Sequence, residues 1–192
     1  MTRVFVMPEE MAGQNPFLVG DNAAHARVLR LKPGEQVLLC DGQGQECLCQ
    51  VENLNPEGLE LMVLERRESC TEARVRVSVY MAFPKGDKLE HVIQKATELG
   101  AYEIVAFPSA RCVSRPDAKS LKKKLERWQK IAASAAEQSG RGRIPQVLVL
   151  GSYREALKRA AQADSGLLFY ENEQATTLQM AMTGFAGRSL SL

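Results

Sequence analysis

The spacing of apolar residues changes once along the chain, between about residues 65 and 73, and this change constrains the fold more than any other feature. Before it, short apolar runs separated by turn residues predict strands at 4–6, 36–40, 46–51 and 59–64. One helix interrupts them, with Ala24, Val28 and Leu31 predicted on its buried face. Short strands with one helix are typical of a small β-barrel, which we assign to residues 1–70.

Residues 74–192 follow a different pattern, in which strands alternate with helices. The predicted strands are 74–82, 102–107, 146–150, 166–170 and a last one that begins near 188. The predicted helices begin at about Asp87, at about Ser120, at the capping box Ser152–Glu155, and at 174 for a helix ending at 182. This order predicts an α/β domain with a mostly parallel sheet. The polar segment 65–73 is the predicted linker.

The bulk properties exclude several classes of protein. No apolar run approaches the roughly 18 residues of a membrane span, and residues 1–10 lack the pattern of a secretory signal. The five cysteines form no C-x-x-C pair, and the chain has only two histidines, so we expect reduced thiols and no metal site. These features predict a cytoplasmic protein without a membrane partner. The net charge of +2 neither requires nor excludes nucleic acid.

Glycine motifs for nucleotide phosphates are absent. The sequence has no G-x-G-x-x-G after a strand, no P-loop and no G-x-S-x-G elbow. The glycines of Asp41-Gly42-Gln43-Gly44 lie between predicted strands, where they indicate a turn. A dinucleotide site of the Rossmann type and a P-loop enzyme are therefore disfavoured.

Basic residues fall mainly in loops and at helix ends. An open sheet places its ligands in such connections, and basic groups there suit contacts to RNA phosphates. A solvated charged surface is the alternative, and it is the interpretation we prefer for Lys122, Lys123 and Lys124. The predicted RNA-binding residues are Arg3, His25, Arg27, Arg30, Lys85, Lys88, Lys95, Arg111, Arg115 and Arg143.

Several short runs occur in an order that is typical of one enzyme family. The most specific are Gln94-Lys95-Ala96-Thr97-Glu98-Leu99-Gly100 and Glu137-Gln138-Ser139-Gly140-Arg141, preceded by His25-Ala26-Arg27-Val28-Leu29-Arg30. With these runs the whole chain resembles the 16S rRNA (uridine-N3) methyltransferase family, RsmE, of the SPOUT superfamily. The resemblance implies a PUA-like RNA-binding barrel over 1–70 and a SPOUT methyltransferase domain with a trefoil knot over 74–192.

The family also implies the chemistry and the partners. S-adenosyl-L-methionine would be the methyl donor, N3 of a uridine in 16S rRNA of the small ribosomal subunit the acceptor, and a homodimer the active form. The family's Gly-Pro-Glu-Gly-Gly loop, which holds the cofactor, should begin where the sequence ends at Leu192, so we expect a C-terminally incomplete knot domain and an incomplete cofactor site. We assign Arg141, in the most specific of these runs, to the target uridine. Glu171, which directly follows the predicted strand 166–170, and Leu192 are assigned to the cofactor.

Two other functions remain open at this point. Another SPOUT enzyme would methylate a ribose or a different base. A chain that truly ends at Leu192 could instead be a non-catalytic RNA-binding module. The sequence does not identify the group that takes the N3 proton, although Glu98 is expected to pair with a lysine of its own helix.

Overall fold

The computed structural model describes residues 2–113 and 116–192. Backbone contacts divide the chain into two compact units. The first contains Met1–Glu72 and the returning segment Ala136–Ile144, and the second contains Ala73–Ala135 and Pro145–Leu192. No helix in the described part of the chain is long and apolar enough to cross a membrane.

The first unit is built on a five-stranded mixed sheet. Its strands are β1 (Thr2–Phe5), β2 (Phe17–Leu18), β3 (Gln36–Cys40), β4 (Gln45–Leu54) and β5 (Leu59–Glu68), in the order β1-β3-β4-β5-β2. β1 pairs with β3 in parallel, whereas the other pairs are antiparallel. The register of β4 against β5 shifts twice, as at a β-bulge, and such irregularities increase the bend of a sheet. The strands predicted at 36–40, 46–51 and 59–64 are confirmed: β3 has the predicted bounds, whereas β4 and β5 are longer than predicted, and β5 runs to Glu68, into the predicted linker.

The helix of this unit, α1 (Gly20–Val28), buries a different face from the predicted one. Ala23 and Ala26 are fully buried, whereas Ala24 is exposed and Val28 is 77% exposed. The prediction for Ala24 and Val28 is wrong, because the helix turns its small residues Ala23 and Ala26 away from solvent instead. Leu31, placed after the helix, is buried as predicted.

The second unit contains a five-stranded sheet in which every pair is parallel. Its strands are β6 (Arg76–Ala82), β7 (Glu103–Phe107), β8 (Gln146–Val149), β9 (Ser165–Gly166) and β10 (Ser189–Ser191), in the order β8-β7-β6-β10-β9. Its helices are α2 (Lys88–Glu98), α3 (Ala118–Gln138, whose last turn belongs to the first unit), α4 (Tyr153–Ala160) and α5 (Leu178–Met182). The predicted parallel α/β architecture is confirmed.

Two predicted elements of this unit are much shorter than expected. In place of the strand predicted at 166–170, the structure has the two-residue strand β9 (Ser165–Gly166). In place of the helix predicted at 174–182, it has the five-residue helix α5 (Leu178–Met182). β9 pairs with β10 over two residues, and the chain then leaves the sheet, so Leu168 is 83% exposed. An apolar run alone does not make a strand when no neighbouring strand continues beside it. The last predicted strand is confirmed as β10, which lies between β6 and β9.

Candidate functional site

A mostly apolar cavity of about 580 Å³ lies in the second unit, where four parallel strands end. Phe107, Gly166 and Ser191 are the last residues of β7, β9 and β10, and all three line it. Open α/β sheets bind their ligands at this edge. The remaining lining residues are Tyr80, Tyr153, Ala156, Leu157, Ala160, Ala161, Ala163, Asp164, Ser165, Leu167, Leu168, Phe169 and Leu192.

Helix α4 forms one wall of the cavity. Its sequence explains where the helix begins and why its side chains leave the cavity unfilled. The Ser152 hydroxyl accepts a hydrogen bond from the Glu155 backbone N–H at 3.2 Å, while the Glu155 carboxylate accepts one from the Gly151 N–H at 2.8 Å. This capping, predicted from the sequence, fixes where the helix begins. The side chains that α4 turns toward the cavity include Ala156 and Ala160, which are too small to fill it. The Tyr153 ring packs 5.7 Å from the Phe107 ring.

The composition of the cavity limits what it can bind. Leucine, alanine and aromatic side chains suit a flat apolar ring system, and the few polar groups, such as Asp164 and Ser165, can orient it. Among the predicted cofactor residues, Leu192 lines the cavity. Glu171 lies in an exposed turn and does not line it.

A polar cluster that the sequence analysis missed lies beside this cavity. The buried carboxylate of Glu103 accepts a hydrogen bond from the Arg159 guanidinium at 2.7 Å. Burial raises the pKa of Tyr80, and the nearby Glu103 charge raises it further. Tyr80 lines the cavity, and it also lines a smaller pocket together with Glu103 and Arg159. The signal in the sequence was Glu103 itself, a charged residue at the start of an otherwise apolar strand.

Arg141 lies in the first unit and is 4% exposed. Its guanidinium contacts the Glu72 carboxylate at 2.6 Å and 3.4 Å, and the same carboxylate accepts the backbone N–H groups of Gly142 and Arg143 at 3.1 Å each. The carboxylate therefore holds the whole turn after α3. Arg141→Ala would remove the ionic partner of Glu72, so we expect this substitution to destabilise the first unit. The catalytic role of Arg141 stays a prediction.

Four more predicted RNA-binding residues of the first unit make contacts within it. Arg3 donates to the buried Glu46 carboxylate at 2.6 Å. Arg27 donates to the backbone oxygens of Asn55 and Pro56 at 2.8 and 3.1 Å, and Arg143 to that of Gln43 at 2.8 Å. His25 Nε2 lies 3.2 Å from a Glu137 carboxylate oxygen.

Other predicted RNA-binding residues are open to solvent. Arg30 follows α1, Lys85 precedes α2, Lys88 begins α2, and Arg111 follows β7, and all four are exposed. Lys95 is exposed but pairs with Glu98 at 2.8 Å, as expected for neighbours on one helix. Arg115 lies outside the described residues. Among the described residues of the second unit, Lys85, Lys88, Lys95 and Arg111 do not line the cavity.

Comparisons with known proteins support a single family. The RNA methyltransferase domain family matches residues 71–191, and the RNA methyltransferase PUA domain family matches residues 18–64. Ribosomal RNA small subunit methyltransferase E of Bacillus subtilis (strain 168) is 37% identical over 155 residues, which are 80% of this chain and 60% of that protein. The protein of the same name from Mycobacterium bovis is 44% identical over 129 residues, 67% of this chain and 49% of that protein.

Solved structures agree with these matches. The crystal structure of a ribosomal RNA small subunit methyltransferase E from Neisseria gonorrhoeae, bound to S-adenosyl methionine, has a TM-score of 0.80 and 28% identity, covering 100% of this chain and 78% of that one. A crystal structure of a hypothetical protein has a TM-score of 0.83 and 32% identity, covering 99% and 78%. The chain spans about half to three fifths of the length of the two relatives above. By the match over residues 71–191, the chain belongs to the RNA methyltransferase family, as its sequence motifs predict.

Proposed function

We propose that this protein transfers a methyl group from S-adenosylmethionine to N3 of a uridine in 16S rRNA of the small ribosomal subunit. The observation that carries the proposal is the cavity at the carboxyl ends of β6, β7, β9 and β10, inside the segment that matches the RNA methyltransferase domain. Relatives named ribosomal RNA small subunit methyltransferase E match most of the chain, and one structural neighbour was solved with S-adenosyl methionine.

The cavity residues fit the donor. The volume of the cavity lies within the range of about 300–1,000 Å³ that is usual for small-molecule sites. The apolar walls from Leu157 and Leu167–Phe169 would hold the adenine ring, and Leu192 would contact the rest of the molecule. When bound, S-adenosylmethionine supplies an activated methyl group on a sulfonium. The protein's contribution is then to exclude water and to align the acceptor nitrogen, which can lower the barrier by about 7–11 kcal/mol.

The target uridine must be unpaired or extruded, because N3 carries a proton and is hydrogen-bonded in a duplex. That proton must leave, or the developing charge must be stabilised by a nearby cation. We keep Arg141 as the candidate nearest the uridine, conditional on its separating from Glu72 when RNA binds. Glu171 remains a candidate for the cofactor side.

We assign RNA binding to residues 1–70 as a PUA-like domain and methyl transfer to residues 74–192 as a SPOUT domain with a trefoil knot. The RNA contacts would come first from exposed residues of both domains, Arg30 in the PUA-like domain and Lys85, Lys88 and Arg111 in the SPOUT domain. The same proposal includes Arg115 and the internally paired residues Arg3, His25, Arg27, Lys95 and Arg143. A cytoplasmic homodimer, free of membrane and metal, completes it.

A transfer assay tests the proposal. The protein is incubated with methyl-labelled S-adenosylmethionine and with small or large ribosomal subunits from cells in which its gene is deleted. We expect label in 16S rRNA only, recovered as 3-methyluridine after nuclease digestion and mass spectrometry. A ribose-methylated or differently methylated nucleoside would assign another SPOUT reaction. RNA binding without methyl transfer would indicate a non-catalytic RNA-binding module.

A further inference from the structure

Helix α3 carries a strong positive charge that the proposed RNA contacts do not include. Six basic and two acidic residues give it a net charge of +4, whereas the whole chain has +2, so the remainder of the chain carries −2. Five of the six basic residues recur at helical spacing along one face. We call them the α3 basic stripe: Lys119, Lys122, Lys123, Arg127 and Lys130.

The stripe lies opposite the buried face of the helix. Trp128, Ala132 and Ala135 are buried, and at 100° per residue they point away from the stripe. All five stripe residues are exposed. Arg127 pairs with Glu90 at 2.6 Å, but among residues 2–113 and 116–192 the four lysines form no salt bridge. The stripe extends about 16 Å along the helix axis, and one acidic residue, Glu126, lies within it.

The charges of α3 are also arranged against its dipole. A helix N-terminus is partially positive and favours acidic residues, while basic residues favour the C-terminus. Here the first turn of α3 has no acidic residue and the last turn no basic one, and Lys119, Lys122 and Lys123 lie in the first two turns. Asp117, just before the helix, supplies an acidic cap by accepting the Ser120 N–H at 2.8 Å. The three lysines themselves gain nothing from the helix dipole, so the dipole does not explain their placement.

We infer that the α3 basic stripe binds the phosphate backbone of ribosomal RNA, as a second contact surface carried by the methyltransferase unit. The inference rests on the proposed function, which supplies a polyanionic substrate. Closely spaced ammonium groups displace counterions from such a polymer, and this contribution to binding does not depend on base sequence. The α3 basic stripe thus increases the affinity for RNA but does not contribute to selection of the target uridine.

The test compares two charge-matched double variants. Lys119→Gln/Lys123→Gln removes two charges from the stripe, and Arg154→Gln/Lys158→Gln removes two from exposed positions, also four residues apart, on α4. Binding to a labelled 16S rRNA fragment is measured over a range of salt concentrations, together with the melting temperature. For the stripe variant we expect affinity about tenfold lower at low salt, a salt slope smaller by about 1.4–1.8, and a melting temperature equal to or above that of the wild type.

Three results would overturn the inference. The stripe variant could keep the wild-type salt slope, the α4 variant could lose as much affinity as the stripe variant, or the stripe variant could melt at a clearly lower temperature, which would make these lysines structural. A failure of the proposed function has a different signature. In that case the wild type binds RNA with the stripe-dependent slope but transfers no methyl group.

Discussion

Arg30 has a backbone conformation that glycine normally adopts. Its φ is 57°, and no other residue except glycine has a positive φ in the part of the chain that the structure describes. It follows the C-cap of α1, where the Leu31 N–H bonds back to the Ala26 carbonyl at 3.1 Å. Most helices that end this way have glycine at this position. An exposed arginine here costs stability, so its side chain is expected to serve binding.

Replacing Arg30 with glycine should separate these two effects. We expect Arg30→Gly to raise the free energy of unfolding by about 0.5–1 kcal/mol, because the left-handed conformation no longer carries a side chain. RNA affinity should fall at the same time. Urea denaturation and RNA titration measure the two quantities. Arg30→Asn, which tolerates this φ and also lacks the charge, is the control and should lose the same affinity. Full RNA affinity in both variants would refute a binding role.

Glu46 is a buried carboxylate held by arginines. Burial alone would raise its pKa, but hydrogen bonds from Arg3 and Ser69, together with the Arg3 charge, outweigh burial and lower it below the ordinary value of 4.5. A carboxyl group with a lowered pKa stabilises the fold above its unfolded pKa, and the stabilisation is lost as the pH falls through the folded pKa. The first unit should therefore lose stability in acid partly through this residue.

Glu46→Gln tests this expectation. At pH 7 the variant should be destabilised by about 3 kcal/mol, because the largely buried Arg3 side chain loses its ionic partner. The difference from the wild type should begin to shrink as the pH falls below 4.5, where the carboxyl group takes up a proton in the unfolded chain first, and it should disappear as the pH falls through the lower folded pKa. Denaturation at several pH values measures it. Glu52→Gln, an exposed position on β4, should change little at any pH. A pH-independent difference would contradict the account.

At the scale of elements, strands with a clear apolar pattern and helices with clear caps were predictable. β3 was predicted at its exact bounds, and Ser152 correctly marked the start of α4. Pairing between distant segments was not predictable. β9 ends after two residues because β10 pairs with it only there. The buried face of α1 also depends on the packing partner rather than on helical spacing.

The candidate site was predictable only in part, for a related reason. The position of a ligand site at the carboxyl ends of parallel strands follows from the α/β pattern. Leu192, which was predicted to contact the cofactor, lines the cavity at this edge, and its role stays a prediction. The wall formed by Leu167–Phe169 was instead interpreted as strand. Likewise, the loop after α3 gave no sign that Arg141 would pair with Glu72, 69 residues away in sequence.

Small residues of α4 keep the cavity open, and this leads to a prediction for the element. Ala160→Phe should fill part of the cavity and weaken S-adenosylmethionine binding by about tenfold or more, because a bulky ring would occupy the place of the ligand. The melting temperature should change little, since Ala160 is only half-buried. Calorimetric titration measures the affinity. Ala181→Phe, on the exposed side of α5 and outside the cavity lining, should bind like the wild type. Equal affinity in both variants would place the ligand elsewhere.

At the scale of the whole molecule, two matched domains divide the work that we propose. The segment matching the PUA domain and the segment matching the methyltransferase domain lie mainly in different compact units. The cavity belongs to the second unit alone, and so does the α3 basic stripe. The second unit would therefore bind S-adenosylmethionine and also contribute to RNA binding.

The most direct test of this account locates the donor in the protein. Hydrogen–deuterium exchange is followed by mass spectrometry with and without saturating S-adenosylmethionine. The account predicts slower exchange of backbone amides at 165–169 and 191–192, which line the cavity, and little change in β1–β5. Unchanged exchange at these cavity segments with protection elsewhere, or no protection anywhere at saturation, would contradict it.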